Sequence, residues 1–278
     1  ETAAEGIVRI VNENMCGALR LVSVEQGYDP RDFALIGFGG AGPLHANALS
    51  RLINAWPCIV PPGPGVLCAY GDATTRLRNE ASQTLVSRTA DLTDDEVRRS
   101  LETLRDDAGA ALAEEGVPAH EQHVTYQIDL RYRGQGMKLT QDVSPEDFAA
   151  EGLAGVTRRF DAEHEQLFTF ALDAEHELVG LRAVVQGPEA AHQTAMLESG
   201  GTDASAAKVQ PTRLYADGAW REGHIYDRAK LQPGNRVPGP AVVTEMDSTS
   251  VILPGHVGIV DAVGNILIWP EGHEKARG

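Results

Sequence analysis

The chain of 278 residues is 42% hydrophobic and only 5% aromatic, enough apolar mass for one large core or two modest ones. Asp and Glu number 40 against 24 Lys and Arg, a formal charge of −16 that repels phosphate backbones and anionic lipid; neither nucleic acid nor a membrane surface is an expected partner. No apolar run reaches the ~18 residues of a membrane span, and Glu1-Thr-Ala-Ala-Glu5 has no signal-peptide character, so a cytoplasmic protein is expected.

With no initiator Met and helical periodicity from the first residues, the chain reads as a fragment or a processed product. From Ala4 to Gln26, Ile7, Ile10, Val11, Met15, Ala18, Leu19 and Val22 recur at the spacing of a helix with one buried face. Phe33-Ala-Leu-Ile-Gly-Phe38 has the continuous apolar character of a central strand covered on both faces. After Gly39-Gly-Ala-Gly42, Pro43 suits a first helical position, and Leu44, Ala48, Leu49, Leu52 and Ile53 mark a buried helix face. Pro57-Cys-Ile-Val60 is a second short strand, cut by Pro61-Pro-Gly-Pro-Gly65, with a helix of small residues from Val66 to Leu77. This alternation predicts an α/β layer over residues 1–80.

An exposed segment from Arg78 leads to a polar amphipathic helix through Glu115, then to a hairpin with arms 124–132 and 137–143. Ser144-Pro-Glu-Asp147 starts a helix to Glu165, and 178–185 is a further strand, so residues 81–190 read as an α+β module. Residues 190–207 have linker composition. Strands at 211–216, 223–226, 240–245, 250–253, 257–260 and 265–269 then make 191–278 a linker with a small all-β unit. Cys16, Cys58 and Cys68, without CxxC spacing, are expected as buried small hydrophobes.

Gly37-Phe-Gly39-Gly-Ala-Gly42 fits GxGxxG between strand and helix, but a dinucleotide fold also needs an acid about 20 residues on to hold the ribose. Residues 41–71 contain no Asp or Glu, and no Lys-Ser or Lys-Thr follows the glycines, so neither a dinucleotide fold nor a P-loop is supported. What remains is an anion or nucleotide-phosphate site built from the amides of Gly39, Gly40, Ala41 and Gly42 and the positive end of the following helix. His45, in that helix's first turn, either faces the loop and touches a ligand or packs against the sheet.

The stretch NENMCGALRLVSVEQGYDPRDFALIGFGGAGPLHA (Asn12 to Ala46), with IVPPGPGVLCAYG (Ile59 to Gly71), resembles the C-terminal part of the hydantoinase A / 5-oxoprolinase family. The hairpin LRYRGQGMKL (Leu130 to Leu139) and IYDRAKLQPGNRVPGPAVVTEMDSTSVILPG (Ile225 to Gly255) extend the resemblance over nearly the whole chain. It implies half of an actin- or sugar-kinase-like nucleotide-binding fold, with Gly39 to Gly42 contacting ATP and the segment from Pro61 to Thr74 closing the same lobe. The implied activity is ATP- and magnesium-dependent opening of small cyclic amides such as 5-oxoproline and hydantoins. The alternatives are the ATP-using subunit of an acetone or acetophenone carboxylase and a non-catalytic assembly module. Partners implied are the N-terminal half of the same subunit, which carries the family's other phosphate loop and its magnesium-binding acids, and a hydantoinase B-like second subunit. The chain alone is accordingly expected to be inactive.

Asp72, beyond the Pro-Gly loop, is a candidate to hold magnesium through water, or a helix cap. Arg131, Arg133 and Gln135 flank the hairpin turn as an anion site or as the solvated face of a strand. Glu245, Asp247, Ser248 and Thr249 form a polar knot that binds a substrate or metal, or serves as turn chemistry. His120, His123, His164 and His176 have no partners that fix a metal geometry, and Trp56, Trp220 and Trp269 read as core or interface anchors.

Overall fold

A computed structural model describes residues 1–189 and 196–274. In chain order the elements are α1 (Thr2–Leu21), β1 (Leu35–Ile36), α2 (Gly42–Ile53), β2 (Cys58–Val60), α3 (Leu67–Thr74), β3 (Arg78–Arg88), α4 (Asp94–Glu114), β4 (His123–Tyr132) and β5 (Leu139–Val143). There follow α5 (Pro145–Phe168), β6 (His176–Gln186), β7 (Lys208–Ala216), β8 (Ala219–Asp227), β9 (Arg236–Pro238), β10 (Ala241–Thr244), β11 (Thr249–Ile252), β12 (His256–Val260) and β13 (Ile266–Pro270). Of the expected linker, residues 190–195 lie outside the described residues.

Two compact units form, and they do not follow chain order: Glu1–Ala73 joins His192–Gly278, while Thr74–Ala191 stands as the other. The first unit carries a five-stranded sheet, β1-β2-β13-β12-β9, and a four-stranded one, β11-β10-β8-β7. Residues read from sequence as separate α/β and all-β parts thus share one sheet. β13 pairs antiparallel with β2, Ile266 opposite Val60 and Ile268 opposite Cys58, and all four side chains are buried. Ala46 of α2, Tyr226, Val237, Val243 and Ile252 complete that core. Burying these alternating apolar faces stabilises each Val or Ile by about 1.5–3 kcal/mol, which overrides any separation of the two segments in sequence.

Two expectations fail at the start of this unit. β1 is an edge strand of two residues, not a central one, and Phe33, Ile36 and Phe38 are 49%, 52% and 48% exposed. Among the described residues only β2 pairs with it, so the apolar run has no second neighbour to cover it. α1 has the expected periodicity, but only Asn12 and Cys16 are buried, because its packing partner is the short α2; Ile7 and Ile10 remain mostly exposed.

In the second unit an antiparallel sheet, β3-β6-β4-β5, packs against α4 and α5 through Leu101, Leu104, Ile128, Leu130, Phe148, Phe160 and Leu181. The segment read as exposed from Arg78 is the strand β3; its polar sequence suits an edge position paired on one side only. Thr93 and Glu96 form a reciprocal cap at the start of α4, and the Ser144 side chain caps α5 by accepting from the Asp147 amide. α5 is broken at Gly152, where φ is 58° and ψ −159°. A β-carbon there would lie 2.2 Å from the Asp94 carboxylate, which instead accepts the Leu153 amide at 2.8 Å. Glycine is therefore what allows Asp94, in the first turn of α4, to cap the backbone of α5 where it resumes at Leu153.

Candidate functional site: a glycine turn braced from the far end of the chain

Three segments of the first unit converge. β1 delivers the chain to the glycine turn 37–42, and Pro43 near the start of α2 fixes where the helix begins. The Gly39 amide donates to the Pro64 carbonyl at 2.6 Å, tying the turn to the Pro-Gly loop 61–65. From about 200 residues away, the turn between β10 and β11 supplies the third wall. The Ser248 hydroxyl donates toward the carbonyls of Gly40 and Gly39, at 3.1 and 3.4 Å, and the Gly63 amide donates to Glu245 Oε2 at 3.3 Å. That turn is closed by the Glu245 amide donating to the Ser248 carbonyl at 3.1 Å. The packing is close: a β-carbon on Gly65 would fall 2.4 Å from the Asp247 carbonyl oxygen.

Two amides of the glycine turn are therefore committed, Gly37 to the Ile59 carbonyl at 2.8 Å and Gly39 to Pro64, and the last three are not. Gly40, Ala41 and Gly42 have no hydrogen-bond acceptor for their amides among the described residues, and Gly40 and Ala41 are exposed. Bare amides at a helix start form a concave donor surface suited to an anion. On the other side of the turn the electrostatics are mixed. Burial pushes the Glu245 carboxyl above its usual range, against the Arg228 charge and the Gly63 amide, which pull it down. Burial also lowers the Arg228 guanidinium from its ordinary value; it donates to the carbonyls of Val60 and Gly264 at 3.2 and 2.7 Å. Glu245 Oε1, Asp247 Oδ2 and Arg228 Nη1 are buried without hydrogen-bond partners among the described residues.

The remaining sequence candidates are dispersed. His45 turns away from the glycines: its Nδ1 meets Asn12 Oδ1 at 2.8 Å, joining α2 to α1. Both line an open-sided groove of about 700 Å³ whose rim includes Glu5, Arg9 and an Arg51–Asp217 ion pair at 2.9 Å. Asp72 is exposed on α3, none of whose residues is buried. In the second unit Arg131 is paired with Glu177 across the β4–β6 register at 2.6 Å, and Arg133 with Glu175, just beyond the ends of those strands, at 2.7 Å, so both charges are met. His120 and His123 are exposed; His164 is buried and meets the Phe170 carbonyl at 2.8 Å, and His176 meets Asp161 at 2.7 Å. Among the described residues no three His, Cys, Asp or Glu side chains gather to hold a metal ion. Cys16 and Cys58 are buried as expected, with burial raising the Cys58 thiol to about 11, whereas Cys68 is exposed on α3. Trp269 is buried and Trp56 packs on the core, but Trp220 is half exposed beneath Arg213.

Sequence reasoning flagged both the glycine turn and the polar knot but did not join them, since no local pattern reports a contact across 208 residues. Arg228 escaped notice altogether; an Arg one residue after a strand carries no signal of burial.

Comparison with known proteins bears on the whole chain. The family model described as Hydantoinase/oxoprolinase matches residues 1–81, and that of the Hydantoinase/oxoprolinase C-terminal domain matches residues 87–266. The chain is 33% identical over 276 residues to an uncharacterised protein of Methanocaldococcus jannaschii, covering 96% of this chain and 38% of that protein. It is 30% identical over 281 residues to the caprolactamase subunit alpha of Pseudomonas jessenii, covering 98% of this chain and 40% of the relative. The crystal structure of the ATP-dependent caprolactamase from Pseudomonas jessenii superposes with a TM-score of 0.85 at 27% identity, covering 98% of this chain and 40% of that one. The chain thus spans 40% or less of the length of these relatives. Among the described residues no helix is long and apolar enough to cross a membrane. With its two family models together spanning most of the sequence, the chain belongs to the hydantoinase/oxoprolinase family.

Proposed function

We propose that this chain is the part of an ATP-dependent cyclic-amide hydrolase that supplies one wall of the nucleotide cleft, its first unit being half of an actin- or sugar-kinase-like fold. The observation that carries the reading is the set of unpartnered amides of Gly40, Ala41 and Gly42 on an exposed turn at the start of α2. Family membership supports the chemistry, and the name of the caprolactamase relative supports a lactam as substrate class. The exposed edge of β1 and the apolar side chains of Phe33, Ile36 and Phe38 support a further part of the protein completing this lobe. In this reading the other cleft wall belongs to the portion of the relatives' length that this chain does not span, and a second subunit completes the enzyme, as the "subunit alpha" in the relative's name suggests.

The residues present fit the phosphate end of a nucleotide, with three free donors beside a helix start. Bound ATP would supply the phosphoryl group that, passed to the lactam oxygen as ADP leaves, makes the carbonyl carbon electrophilic enough for water to add and the ring C–N bond to break, hydrolysis then releasing phosphate. The chain's own contribution is positional: the amides of Gly40 to Gly42 hold phosphate oxygens and meet their charge without reorganising. Magnesium would be held mainly outside this chain, where the exposed carboxylate of Asp72 is the candidate to reach it through water.

Calorimetry with ATP and magnesium on this chain and on the full-length protein tests the proposal. Binding gained only in the longer protein is expected; no binding in either refutes it and leaves an assembly module. Gly40→Val sharpens the test, because a β-carbon at Gly40 meets nothing closer than the Asp247 carbonyl at 3.7 Å, so the side chain obstructs the ligand and not the fold.

A further inference from the structure

We infer that Ser248 is the positioning residue of the glycine turn, fixing the direction in which its amides meet the phosphate oxygens of a nucleoside triphosphate; this rests on the nucleotide reading above. In a trans peptide the C=O of one residue and the N–H of the next lie in one plane and point in opposite directions. The Ser248 hydroxyl, on a residue only 7% exposed, lies 3.4 Å from the Gly39 carbonyl oxygen and 3.1 Å from that of Gly40. Both carbonyls are thereby drawn toward the β10–β11 turn. The N–H groups sharing those two peptides belong to Gly40 and Ala41, both exposed, and they are turned the opposite way.

Among the described residues no other donor meets the carbonyls of Gly39 and Gly40. Glycine at 39 and 40 offers no side chain to oppose a peptide flip, and a flip would present carbonyl oxygens, with their partial negative charge, to an anionic ligand. Neighbouring contacts keep the hydroxyl in register: the Glu245–Ser248 turn bond, and the Asp247 carbonyl lodged where Gly65 leaves room. The Gly39 amide is anchored on Pro64, so the pivot lies in the two peptides that Ser248 touches.

The test is ATP binding by calorimetry and steady-state ATP turnover on the full-length enzyme carrying Ser248→Ala, Ser248→Thr or Gly40→Val, each checked by thermal melting. Ser248→Ala is expected to raise Kd and KM for ATP about fivefold, the factor carried by one hydrogen bond of ordinary net strength, with kcat little changed. Ser248→Thr, which keeps the hydroxyl, restores both values. If Ser248→Ala fails to fold, Ser248→Cys, of similar size but a weak donor, carries the same comparison. Parental ATP affinity in Ser248→Ala alongside weakened affinity in Gly40→Val overturns the inference and leaves the nucleotide reading standing. Parental affinity in both overturns the two together.

Discussion

Gly65→Ala probes the brace without touching the amides assigned to the ligand. The added β-carbon would stand 2.4 Å from the Asp247 carbonyl oxygen, 2.8 Å from its Oδ2 and 2.9 Å from its β-carbon, where ordinary contact begins at 3.4 Å. The nearest obstacle is main chain, so no rotamer change relieves it; either the Pro-Gly loop or the 245–248 turn must move by about 1 Å. Forced repacking of this kind costs about 1–3 kcal/mol, equivalent to lowering Tm by about 2–12 °C for units of this size. Thermal unfolding by calorimetry reads the shift, with Gly17→Ala in α1 as the control. A β-carbon at Gly17 meets nothing within 4 Å, and replacing a helical glycine raises stability by about 0.5–1 kcal/mol. A Gly65→Ala protein that melts with the parent would refute the claim that the two loops interlock.

Gly152→Ala in α5 combines a backbone conformation almost reserved for glycine with a clash against Asp94, and is expected to destabilise the second unit by about 2–4 kcal/mol in urea denaturation. The same change at Gly136, which is open, should be near neutral; equal effects at both sites would count against the reasoning. His256 is buried beside Trp56, and burial lowers its pKa from 6.5, aided by Arg51 and opposed by the Pro254 and Leu253 backbone and by Asp217. Its unfolded form therefore binds a proton that the folded form resists, and stability falls as pH drops below 6.5 toward the folded value. Tm measured between pH 8 and 5, at about half-unit steps, should fall less steeply in His256→Gln than in the parent; identical slopes would show that His256 does not titrate in this way.

Much of the local structure was legible because its causes are local. Ser144-Pro-Glu-Asp147 announces α5 through a capping side chain, and the period-two pattern of 124–132 gives β4 within one residue of its observed start. β3 was missed because an edge strand needs no apolar alternation, and the three residues of β9 carry too little pattern to register. The coverage of α1 and β1 could not be read either. Periodicity reports which face is apolar, not whether another element is there to bury it. The same limit applies at the site: the glycine turn declares itself through its composition, whereas the role of Ser248 depends on a pairing that only the folded sheets create.

The order in which the chain is made bears on the sheet that unites β2 with β13. The second unit interrupts the first as an insertion, and its two ends lie side by side, with Arg78 opposite Gln186 in register and the Gly187 amide donating to the Leu77 carbonyl at 2.8 Å. Such an insert can close on itself while the remainder is still being translated, leaving its flanks near each other. The sheet beside the glycine turn must wait for β13, which lies between β2 and β12, to emerge from the ribosome. Losing β13 would therefore damage the segment that carries the glycine turn as much as the strands beside it.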